Sequence, residues 1–171
     1  MNKRQFEKEI QKYINFAEVR KLSKTLPWPY NGMVNDLLGS ILSRGNYLSA
    51  LGLITYSEIC GRKLFFNGNE KKEGSKCFSE FLKFLGLSNL LNSYMVYKGK
   101  QMYFYQAIRH GLSHNYFLNV DNGAIAMIPS NKKQIRNGFL IEKSGRVVLI
   151  VIAYFNLFCR GLTKARDIKL I

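Results

Sequence analysis

The sequence predicts a mainly α-helical single domain, an antiparallel helical bundle with a small β-hairpin element toward its C-terminal side. Three observations carry this. Up to about residue 117, most apolar residues recur at helical spacing. Beyond that, turn signals at Asp121-Asn122-Gly123 and Lys143-Ser144-Gly145 separate short apolar runs of strand length. The chain has 171 residues, 47 % of them aliphatic, aromatic or sulfur-bearing, which suffices for one core without disulfides or metals. The domain divides into an N-terminal helix and proline-rich turn (1–30), a bundle core (31–118) and a β element with a closing helix (119–171).

Phe6, Ile10, Tyr13, Ile14, Ala17 and Leu22 stand near helical spacing among charges, so residues 3–24 read as one amphipathic helix. Pro27-Trp28-Pro29 ends it, because proline lacks the amide donor and restricts its predecessor. Asn35 or Asp36 can cap a second helix running to about Phe66. Gly39, Gly45, Gly52 and Gly61 fall inside it, each costing about 1 kcal/mol relative to alanine. Close helix–helix approach is the usual compensation, and Gly45-Asn46 equally marks a kink. After a polar loop, Asn67–Gly74, a short helix over Ser75–Leu85 turns Phe78, Phe81, Leu82 and Leu85 inward. Further helices are expected over about 88–96 and over Gln101–Phe117, the latter with Met102, Tyr105, Ala107, Ile108 and Leu112 as core contacts. Ala124–Ile128 is a short apolar run, Phe139–Glu142 and Arg146–Val151 form a hairpin, and about 152–167 is the last helix.

Charge narrows the partners. Lys and Arg number 26 against 11 Asp and Glu, a formal net charge of +15, spread over four stretches of the chain. A surplus of this size favours a partner made of phosphates, although the same residues also suit a lysine-rich solvated surface. Cys60, Cys77 and Cys159 are odd in number and widely spaced, which points to reduced thiols in a cytoplasmic protein rather than to a disulfide frame or zinc site. The first 24 residues are charged throughout and lack the apolar segment of a signal peptide. Val147–Cys159 is too short to cross a membrane and reads as a buried strand entering a core helix. No membrane association and no cofactor is expected.

The densest polar segment is Arg109-His110-Gly111-Leu112-Ser113-His114-Asn115-Tyr116, which contains both histidines of the chain. Histidine can take and give a proton near neutral pH, and arginine presents a fixed fork of donors suited to phosphate. On a straight helix Arg109 and His114 are about 140° apart around the axis and about 7.5 Å apart along it. They do not share a face, whereas His110 and His114 do, at i and i+4. Bringing Arg109 and His114 to one phosphate therefore needs a bend at Gly111 or two copies of the helix facing each other. His110 and His114 also suit a partly buried, satisfied pair. A metal is not expected, since no third ligand stands near.

Arg109, four residues, His114, one residue, Tyr116 resembles the Arg-x4-His-x-Tyr signature of the HEPN superfamily (higher eukaryote and prokaryote nucleotide-binding). His110 fits the position after the family's arginine, and the likeness extends over roughly residues 35–118. The resemblance implies a HEPN-like bundle and a metal-independent endoribonuclease that cleaves RNA by 2′-OH attack as a homodimer with a composite cleft. It assigns Arg109 and His114 as the catalytic pair. His110 or Asn115 would orient the phosphate, and Tyr116 would hydrogen-bond to it or stack on a base. Glu58, isolated in an apolar run, is the expected partner holding Arg109, as a structural ion pair if not for catalysis. Many such proteins are toxins or anti-phage effectors, often paired with a nucleotidyltransferase-type antitoxin that adenylylates the motif tyrosine, here Tyr116. The length of this chain and its β-rich end depart from the plain toxin bundle. The alternative is a non-catalytic HEPN-like module for nucleotide or nucleic-acid binding or for assembly.

Overall fold

The first 25 residues form two helices rather than the single one expected, α1 (Lys3–Gln11) and α2 (Phe16–Thr25). Asn15 causes the break: its side chain accepts the Glu18 amide at 3.3 Å and starts a new helix. Ile10 and Ile14, on either side of the bend, are both buried. This geometry comes from a computed structural model, which describes residues 2–91, 94–97, 100–103, 105–106, 109, 123–129, 138–141 and 147–171.

The long second helix also divides, into α3 (Tyr30–Leu42) and α4 (Asn46–Phe65). The chain turns at Ser43-Arg44-Gly45, with Arg44 at φ 62°, so the kink alternative at Gly45-Asn46 describes the chain better than a continuous rod. Asn35 and Asp36 are not caps. Both lie inside α3, where Asn35 accepts the Ser23 hydroxyl at 2.8 Å and Asp36 accepts that of Tyr56 at 2.9 Å. These bonds tie α3 to its two neighbours. Tyr30, Met33, Val34, Leu37, Leu38 and Ile41 form the buried stripe that a helix of this spacing must cover.

α5 (Gly74–Phe84) follows the expected polar loop and buries Cys77, Phe78, Phe81 and Leu82 against α4. The approach is close because position 61 has no side chain. A Cβ there would lie 1.9 Å from the Cys77 carbonyl oxygen. Of the four glycines expected to serve helix contact, Gly61 does so most clearly, while Gly39 has open space around it.

The segment after α5 corrects the expected helices. Ser88–Leu90 is a single 3-10 turn, and Tyr94–Tyr97 (β1) pairs antiparallel with Lys100–Tyr103 (β2), Tyr94 opposite Tyr103. Aromatic and β-branched content at Tyr94, Val96 and Tyr97, with two residues between the strands, favours a hairpin over a helix. Gln101–Tyr103 is therefore strand, and helical backbone is described at Tyr105, Gln106 and Arg109.

The C-terminal hairpin is present as β4 (Phe139–Ile141) and β5 (Val147–Ile150), with Phe139 opposite Leu149. The run expected near 124 becomes β3 (Gly123–Ala126), which joins β5 in parallel and makes a three-stranded sheet in the order β3-β5-β4. β5 leads directly into α6 (Val151–Asp167), whose first turns are buried on nearly every side. One contiguous core runs from Phe6 through Phe78 and Phe81 to Phe158 and Leu162. Cys60, Cys77 and Cys159 are buried and unbridged within this packing. Burial pushes the Cys159 thiol up to about 12. Among the described residues, no helix is long and apolar enough to cross a membrane.

Candidate functional site

Glu58 is the one buried acid of α4, placed on the same inward stripe as Ile54 and Gly61. A carboxylate at a helix seam must be compensated or its desolvation costs several kcal/mol. Three groups compensate it. Tyr105 donates its hydroxyl to Oε2 at 2.7 Å, and Arg62, one turn along α4, donates Nη2 to Oε1 at 3.1 Å. Arg109 places Nη1 at 3.4 Å from Oε2 and donates the same nitrogen to the Tyr105 hydroxyl at 2.9 Å. The phenol thus stands between acid and base, donating to one and accepting from the other.

Local sequence explains each part. Tyr105 and Arg109 are four residues apart on a helical segment, the spacing that stacks one side chain over the next. The Tyr105 ring packs on Phe78 of α5, with centroids 5.1 Å apart, which fixes where its hydroxyl points. Gly74, the first residue of α5, leaves the room: a Cβ there would stand 2.5 Å from Glu58 Oε1 and 2.7 Å from the Tyr105 hydroxyl. Arg62 also reaches the Lys72 carbonyl at 3.5 Å, which links the cluster to the loop before α5.

Burial, more than the bond to Glu58, raises the Tyr105 phenol well above its ordinary range; Arg109 pulls weakly in the opposite direction. The phenol therefore keeps its proton at any physiological pH and serves as a fixed bridge. The Glu58 side chain is 10 % exposed, whereas that of Arg109 is 50 % exposed. One side of the arginine is anchored, and half of its surface stays open to a ligand. Two guanidinium groups oppose one carboxylate, so the cluster keeps a positive charge.

Of the residues singled out from sequence, the fold brings Arg109 and Glu58 together. His110, His114, Asn115 and Tyr116 lie outside the described residues, as does Gly111. Sequence reasoning missed Arg62, although its i+4 position relative to Glu58 was a usable signal. It assigned Tyr105 to the core, and the ring does pack there, but nothing local marked its hydroxyl as the bridge. Among the described residues, no three His, Cys, Asp or Glu side chains gather to hold a metal ion. Compared with protein-family models, curated proteins and solved structures, the chain matches none.

Proposed function

We propose that this chain is a metal-independent endoribonuclease of HEPN type, working on RNA as a homodimer in the cytoplasm. The observation that carries the reading is the clamp on Arg109. A buried carboxylate and a protonated phenol hold one edge of its guanidinium while half of the side chain remains open. That is the preorganisation a phosphoryl transition state requires, since the donor is aimed before charge develops. The Arg-x4-His-x-Tyr pattern supplies the acid–base group the clamp lacks, and the +15 charge suits a polyanionic substrate. The mainly helical architecture is compatible with a HEPN-like bundle.

In this mechanism the ribose 2′-oxygen attacks the adjacent phosphorus, and the bond from phosphorus to the 5′-oxygen breaks. His114 takes the proton from the 2′-OH or gives one to the departing 5′-oxygen. Arg109 stabilises charge on the non-bridging oxygens, His110 or Asn115 orients the phosphate, and Tyr116 lines the cleft. On a straight helix Arg109 and His114 would not share a face, which is why the proposed cleft pairs motifs from two subunits. A nucleotidyltransferase-type antitoxin acting on Tyr116 would place the protein in a toxin–antitoxin or anti-phage system.

Incubation with total RNA, with and without EDTA, tests the reading. Cleavage that resists EDTA and leaves 2′,3′-cyclic phosphate and 5′-OH ends is expected, and His114→Ala should abolish it without unfolding the chain. Mixing Arg109→Ala with His114→Ala chains should restore part of the activity. Folded protein that binds RNA but never cuts it would replace the enzyme with the HEPN-like binding module.

A further inference from the structure

Beside Tyr105, the loop before α5 and the outer face of α5 border a half-open cleft of about 550 Å3. Its volume falls within the range of small-ligand sites. Phe66, Leu91 and Tyr105 give it apolar surface, and Lys72, Lys76 and Lys83 stand around it. Glu80, the acid among the lining residues, is engaged by Lys83 at 2.6 Å. The Lys72 ammonium sits 4.6 Å from the centre of the Phe66 ring, which holds its charge at the wall. Lys76 pairs with Glu73 at 3.2 Å, but both side chains are more than half exposed. Exposed pairs of this kind contribute at most about 1 kcal/mol, so a phosphate can displace the acid.

The position of the cleft matters as much as its chemistry. Tyr105 is among its lining residues and, through its hydroxyl, bridges Glu58 and Arg109. A ligand in the cleft is thus one side chain away from the clamped arginine. Apolar and aromatic surface beside a lysine rim matches a nucleotide unit, a flat base with an anionic phosphate. A base reaches such a cleft only when it is unstacked, which points to single-stranded RNA rather than a duplex.

We infer that this cleft seats one nucleotide of single-stranded RNA next to the phosphate that Arg109 engages. The base lies against Leu91 and Tyr105, and the backbone phosphate lies between Lys72 and Lys76. The inference rests on the ribonuclease reading for the role of its occupant. Recognition by apolar contact carries little base-edge information, so weak base preference is expected at this position.

The test is binding of a short single-stranded oligonucleotide, fully 2′-O-methylated so that it cannot be cleaved, followed by fluorescence anisotropy. The Lys72→Ala/Lys76→Ala double variant should weaken binding about tenfold and lower the log–log salt slope by about one unit or more, as loss of two phosphate contacts requires. Lys8→Ala/Lys24→Ala, two exposed lysines of α1 and α2, removes the same charge elsewhere and should change binding far less. Equal losses in the two variants, or no binding by the folded wild-type chain, would overturn the inference. AMP binding as tightly as the oligonucleotide would overturn it too, by making a free nucleotide the occupant. If RNA is cleaved, the cleft variant should raise KM and leave kcat unchanged, and an unaltered KM would count against the site. Oligonucleotide binding through Lys72 and Lys76 by a chain that cuts no RNA would uphold the cleft and defeat the ribonuclease reading alone.

Discussion

Ser57 and Glu58 are neighbours on α4, and each is bonded to a tyrosine hydroxyl, yet the two pairs have opposite surroundings. Ser57 and Tyr154 are wholly buried, with their oxygens 2.8 Å apart, and Ser57 also donates to the Leu53 carbonyl at 2.7 Å. That pair is neutral and self-contained, and it joins α4 to α6. Glu58 and Tyr105 form a charged pair that continues into Arg109, a side chain half open to solvent. Packing alone does not call for the second arrangement, because a buried ion pair is often no more stabilising than apolar residues of similar volume. The difference separates a polar contact that holds the fold from one that aims a cation outward.

The close α4–α5 seam beside the Glu58–Tyr105 pair is where the largest effect is expected. Gly61→Ala puts a methyl group into the backbone of Cys77, and the two helices must part. A loss of about 3 kcal/mol or more is expected in chemical denaturation, at the upper end for overpacking, and cleavage per folded molecule should fall as well, because Gly74 and Phe78 of α5 position Tyr105 against Glu58. Glu58→Gln should separate the two regions. It removes the charge facing Arg62 and Arg109, and with Arg109 half exposed the stability cost should be about 1–2 kcal/mol. Cleavage of a defined RNA should nevertheless fall about tenfold, the equivalent of about 1.4 kcal/mol of lost transition-state stabilisation. A stability loss with full activity per folded molecule would make Glu58 a structural residue.

Removing each hydroxyl sharpens the comparison further. Tyr154→Phe and Tyr105→Phe should each cost about 1 kcal/mol of stability. Only Tyr105→Phe should slow cleavage of the same RNA. The pair also predicts alkaline behaviour. Burial raises both phenols well above their ordinary range, and that of Tyr30 up to about 12. The folded chain therefore holds protons that the unfolded chain releases near pH 10, so stability is fully present below about pH 10 and declines as pH rises above it. Denaturant midpoints measured from pH 8 to about pH 11 should show a shallower decline in either phenylalanine variant than in the wild type; an unchanged decline would mean that neither phenol is held up by the fold.

How far the sequence could be read follows the range of the interactions. The stripe of α3, the inward face of α5, the hairpin of β4 and β5 and the closing helix are written in periodicity and turn residues, which are local. The parallel pairing of β3 with β5 leaves no local signature, since the two strands come from distant stretches of chain. The break at Asn15 is masked by apolar spacing that continues across it, whereas the one at Gly45-Asn46 stands in the sequence as a kink equal in weight to a helix contact. The strands β1 and β2 fall where helices over about 88–96 and from Gln101 were expected, because the apolar residues there fit either period over so short a stretch. At the site, the isolation of Glu58 in an apolar helix marked it as needing a cation. The hydroxyl of Tyr105 and the space at Gly74 emerged only once α5 was packed on α4.

Arg109→Lys tests the central claim most directly, that the Glu58–Tyr105 pair exists to aim a guanidinium at phosphate. Lysine keeps the charge and can still pair with Glu58, but it lacks the planar fork. Cleavage of a defined single-stranded RNA should drop about a hundredfold, within the range for removing one transition-state donor, while the thermal midpoint stays within a few degrees of the wild type. Near-normal cleavage by the lysine variant, or a thermal loss as large as that of Gly61→Ala, would contradict the account.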